Sequence, residues 1–99
     1  MPDNINDPID LPEILQAEWG DDQVHQLFDD LRDGAAVEHV QLRTADQDFR
    51  ATLEQGRQAF VSQAAHAIQV RYRFENELWC DTIMPGQPTT KIVRTRLME

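Results

Sequence analysis

Near the C-terminus, residues able to do recognition chemistry recur at every second position: Arg71 and Arg73, Trp79 and Asp81, Arg94 and Arg96. Guanidinium groups grip carboxylates and phosphates through paired N–H donors and stack on an indole face. Gathered on one surface, these six side chains would form a docking patch of formal charge +3 with Trp79 as its aromatic anchor. Arg and Trp are also the types enriched where protein partners bind most tightly. The two-residue spacing is that of β-strands, whose successive side chains point to opposite faces.

Other reactive types are sparse. His25, His39 and His66 have no ligand-like spacing with one another or with Cys80, so the expectation is that no metal or cofactor is held. Cys80 reads as a small hydrophobe on the inward side, between Tyr72 and Thr95. His39 points to the arginine-rich side and could join Asp81 there. No phosphate loop, nucleophile elbow or dinucleotide fingerprint occurs; "MPGQPTT" lacks the lysine and glycine spacing and reads as a turn.

Charge narrows the partners. Residues 1–33 hold ten acids against Arg32 alone and carry the entire net charge of −9, while the other 66 residues balance. An acidic chain repels phosphate, which disfavours nucleic acid and membrane surfaces. No apolar run approaches a membrane span, the first residues lack the pattern of a secretory signal, and a single cysteine precludes an internal disulfide. A cytoplasmic location is expected.

These residues need a scaffold, and its elements can be read in order. Residues 1–20 read as a flexible acidic arm, with Leu11, Ile14, Leu15 and Trp19 making a short amphipathic helix that stops at Gly20. Residues 21–99 form the domain. Asp21 or Asp22 caps a second helix, whose stripe is Val24, Leu27, Phe28 and Leu31 and whose end is Gly34. "VEHVQLR" from Val37 is a strand. Thr44 and Gln47 match a capping box that starts a long helix to about Ala65, with Gly56 on its inward side. A break at that glycine is the alternative. Three strands follow, near 67–74, 78–84 and 90–97.

The fold class expected is therefore α+β: a four-stranded, mostly antiparallel sheet built as strand, long helix and three-stranded meander. Helices cover one face, and the first strand joins by a right-handed crossover to one edge or the other. A three-residue loop, Glu75 to Glu77, pairs Tyr72 with Cys80 and keeps Asp81 out of the core, where an unpaired charge costs several kcal/mol. Pairing Ile83 with Ile92 then aligns Asp81 with Arg94 and Trp79 with Arg96. All six candidate residues fall on the outer face.

As a plain cross-strand ladder, such pairs contribute about 0.2–1 kcal/mol each. As a surface, they point to a small non-enzymatic interaction or accessory module. It would dock a protein partner, or a second copy of itself, through Arg71, Arg73, Trp79, Asp81, Arg94 and Arg96 together with the acidic arm. The alternative is binding of a small anion or single-stranded nucleic acid on the same face. A small enzyme using Asp81, His39 and an arginine clamp comes last.

Overall fold

The computed structural model describes residues 14–98. In chain order the elements are β1 (Ile14–Trp19), α1 (Asp21–Gly34), β2 (Ala36–Arg43), β3 (Asp48–Ala51), α2 (Leu53–Val61), β4 (Ala67–Phe74), β5 (Glu77–Met84) and β6 (Thr90–Leu97). The class is α+β, with two helices and one antiparallel sheet of six strands ordered β1-β6-β5-β4-β2-β3.

The sheet is larger than the four strands expected, for two local reasons. Ile14–Trp19 is strand, not helix. Leu15, Ala17 and Trp19 share the face of their partners Arg94, Ile92 and Thr90, so a period of two operates where a period of four was read. Pairing with β6 satisfies backbone donors and acceptors that an isolated short helix would leave exposed at its ends. Residues 1–13 of the expected arm lie outside the described residues. The second reason is that the long helix begins only at Leu53.

The sequence holds two copies of Thr-x-x-Gln, and the later one caps the helix. Thr52 Oγ1 accepts from Gln55 N–H at 3.0 Å while Gln55 Oε1 accepts from Thr52 N–H at 2.9 Å. The earlier copy closes the β2–β3 turn instead, where Thr44 Oγ1 and the Thr44 N–H both engage Gln47. Gly56 consequently lies near the start of α2. A Cβ built there would stand 3.1 Å from Ile68 Cγ2, so the helix backbone rides close on the sheet as its inward position implied.

Both helices pack on one face. Val24, Leu27, Phe28 and Leu31 of α1 and Ala59 and Phe60 of α2 share a core with Val40, Leu42, Ile68, Val70, Tyr72, Ile83 and Ile92. The N-cap of α1 is Gly20, leaving Asp21 and Asp22 in the first turn, where their charge suits the helix dipole. Arg57 ties the helices together by donating to Asp29 Oδ1 at 2.7 Å and to His25 Nδ1 at 3.3 Å. A single residue joins α1 to each neighbouring strand, Gly20 before it and Ala35 after it. β2 runs antiparallel to β4 inside the sheet, so the crossover expected between them does not form; the parallel pair joined by a helix is β1 and β2, through α1.

The first hairpin departs most from expectation. Its loop has two residues, Glu75 (φ 52°) and Asn76 (φ 66°), and Phe74 pairs with Glu77. Two successive left-handed residues are the signature of a type I′ turn, whose twist matches that of the strands it joins. Tyr72 therefore pairs with Trp79, Arg71 with Cys80 and Val70 with Asp81. The second hairpin keeps the expected register, with Ile83 opposite Ile92, Asp81 opposite Arg94 and Trp79 opposite Arg96.

Candidate functional site

One residue of register moves β5 and β6 together to the other face. Trp79, Asp81, Arg94 and Arg96 lie on the helix side, aligned with Tyr72 and Val70, whereas Arg71 and Arg73 lie on the opposite side, aligned with Cys80 and Leu78. The expectation that all six share one docking face is corrected. The charge argument behind it counted the cost of burying Asp81 but not the partners that offset it.

Those partners are close. Asp81 is 0% exposed and receives Nε and Nη2 of Arg94, each at 2.9 Å, and the hydroxyl of Tyr72 at 2.9 Å. A buried carboxylate holding three hydrogen bonds, two from a cation, recovers much of its lost hydration. Burial first, and then the negative charge of Asp81, push the Tyr72 phenol well above its ordinary range. The hydrogen bond with Asp81 raises the Arg94 guanidinium in the same direction.

The sign of the resulting pH dependence is fixed. The folded state holds the Tyr72 proton, while the unfolded chain releases it near pH 10. This contribution to stability is complete below about pH 10 and is lost progressively above it. Tyr72 is the chain's only tyrosine, so phenolate absorbance reads it directly. We expect native protein to ionise well above the unfolded chain, and Tyr72→Phe to flatten the alkaline fall of the urea midpoint. Ionisation near pH 10 in the native state would refute the buried bond.

Around this pair lies a cavity of about 810 Å³ between α1 and the sheet. Leu27 and Leu31 of α1 form its upper wall; Tyr72, Trp79 and Arg94 form the floor; Leu15 and Trp19 of β1 close one flank and Phe74 of β4 the other. Leu15 is 49% and Phe74 46% exposed. Asp30 and Asp33 of α1 and Glu75 and Glu77 of the hairpin stand at its mouth. Of these, Asp33 pairs with Arg32 at 2.8 Å and Glu77 with Arg96 at 3.0 Å. Asp30 accepts a neutral bond from Gln26, and neither it nor Glu75 has a cation partner among the described residues.

The outer face is a polar ladder around a half-buried apolar strip. Arg73 pairs with Glu38 at 2.9 Å, His39 bonds Gln41 at 2.8 Å, and Gln41 donates to Asp48 at 2.7 Å. Cys80 lies here, half-buried opposite Arg71, rather than inward as read from the sequence. Burial and the neighbouring Asp81 charge raise its thiol, which keeps it protonated and a poor nucleophile.

Two arrangements read from the sequence do not form. His39 pairs across from Arg71 on the outer face, so it cannot meet Asp81. Trp79 stands on the opposite side from Arg71 and Arg73, so they offer no common stacking surface to an anion or a nucleic-acid strand. No group of three or more His, Cys, Asp or Glu poised to hold a metal occurs among the described residues, and no described helix is long and apolar enough to cross a membrane.

No family model, curated protein or solved structure matches the chain. Its site must speak for itself. The groove is hard to read from the sequence because its residues come from β1, α1, β4, β5 and β6, and only the register and the path of α1 bring them together. One signal was present in the sequence: the chain has only two tryptophans, Trp19 and Trp79, and both line the groove.

Proposed function

We propose that the chain is a non-enzymatic protein-interaction module, and that its docking surface is the groove between α1 and the sheet. The observation that carries this reading is the pair of half-exposed apolar residues, Leu15 and Phe74, flanking a cavity floored by Trp79 and Tyr72. Concave, mostly apolar sites with a few fixed polar groups are where proteins take up ligands and partner side chains. A buried aromatic floor with an exposed apolar border is also how strong protein contacts are built. Arg94 supplies the polar fixture. Its Nε and Nη2 are held by Asp81, which pre-sets the guanidinium before anything binds.

The enzyme reading draws less support. Asp81 is sealed from solvent with its oxygens committed, and Cys80 is held protonated on the other face. A general acid or base must reach the proton it transfers.

The test is an amide- and indole-resolved NMR titration with a blocked peptide carrying a central Leu-Phe pair. The indole N–H signals of Trp19 and Trp79 are expected to shift, while Arg71 and Thr82, which lie on the opposite face of the sheet, stay unmoved. Phe74→Ser, a change at an exposed position, should weaken binding about tenfold, the loss of a contact in the minority that carries binding energy. Shifts confined to Arg71 and Thr82, or none at all, would refute the groove.

A further inference from the structure

We infer that the segment this groove takes is basic: an apolar anchor residue flanked by lysine or arginine. The inference rests on the docking reading above and concerns only the chemistry of the occupant. Four carboxylates stand at the mouth against two arginines paired to them, and Asp81 cancels Arg94 within the floor. The mouth is therefore negative, and the carboxylates of Asp30 and Glu75 have no cation partner among the described residues. Trp19, Trp79 and Phe74 line the same cavity, and aromatic rings attract cations through their quadrupoles.

Charge decides against the other occupants. Residues 1–13 of this chain contain four acids and no base, so the mouth repels them. A second copy would bring an identical acidic mouth to the contact. Nucleic acid is repelled by the mouth and by the net charge of −9 alike. A basic segment is attracted by both, and long-range attraction of this kind raises the association rate as well as the affinity.

Three blocked octapeptides with the same central Leu-Phe pair, flanked by lysine, glutamine or glutamate, separate the possibilities by calorimetry. The lysine peptide should bind at least about tenfold tighter than the glutamate one, with glutamine between. That preference should shrink as salt rises from about 0.01 M to about 1 M, where the screening length falls from roughly 30 to 3 Å. Asp30→Asn with Glu75→Gln, both at exposed positions, should cost the lysine peptide several-fold more than it costs the glutamine peptide.

Equal binding by all three, or a preference for glutamate, overturns the basic occupant while the groove stands. Failure of all three to bind overturns the groove as well. Sedimentation showing a dimer that protects Trp79 would make a second copy the occupant and overturn the inference.

Discussion

Arg94→Leu is expected to lower the stability of the fold by about 3 kcal/mol, the low end of what removing one partner of a buried pair costs. The low end applies because the Arg94 side chain is 35% exposed, so water can reach part of the vacated space. Asp81 has no such relief: it is 0% exposed and would keep only the Tyr72 hydroxyl. The informative comparison is the double variant Asp81→Leu with Arg94→Leu. Removing both charges should recover most of the loss, since an apolar replacement of a buried ion pair is often neutral or better. The residue of the loss, about 1 kcal/mol, is the Tyr72 hydroxyl left without its acceptor. Urea denaturation of the two singles and the double measures the coupling. Strict additivity would mean that Asp81 and Arg94 do not act as a pair.

Phe28→Ala is expected to cost about 3–5 kcal/mol, the range for emptying a buried aromatic site. Phe28 is among the largest fully buried side chains, with the Phe60 ring 6.2 Å away and the Arg57 guanidinium 5.8 Å from its centroid. It is thus the point where α1, α2 and the salt link between them converge. Against a total stability of roughly 5–15 kcal/mol for an ordinary domain, the loss could unfold much of the population at moderate temperature. Val61→Ala, at a position 57% exposed, is the control and should change stability by less than about 0.5 kcal/mol. A Phe28→Ala loss no greater than the control's would mean that α1 is not anchored there.

Much of the fold was legible in the sequence, for reasons that can be named. The stripe of α1 at Val24, Leu27, Phe28 and Leu31 is a clean 3.6-residue pattern, and those four are the residues it buries. The strands after residue 67 alternate regularly, and the β5–β6 register followed from matching Ile83 with Ile92. Three things were not legible. Six residues from Ile14 fit a period of two or of four equally well, and only the open edge of β6 selects the strand. Two capping boxes compete for one helix, and the winner depends on Phe49 and Ala51 pairing with Leu42 and Val40.

The third was the hairpin, and it carried the site with it. A glutamate at positive φ is uncommon, and burying Asp81 looks prohibitive until Tyr72 and Arg94 are placed beside it. Local rules favoured the longer loop; tertiary partners reversed them. The pairings Asp81–Arg94 and Trp79–Arg96 were right, but the side of the sheet they occupy was not.

The one-residue connectors of α1 have a mechanical corollary. Its ends are pinned to β1 and β2, which are separated by four steps across the sheet. β1 and β2 point the same way, so α1 crosses four inter-strand steps, about 19 Å, and also returns along the sheet by about 26 Å, the length of an eight-residue strand. A helix of 14 residues measures about 21 Å. The helix acts as a strut across that diagonal, and its one-residue connectors leave it no slack to lift or slide. Whatever enters beneath it meets a rigid mould, so association should proceed as simple one-step docking without a slow rearrangement.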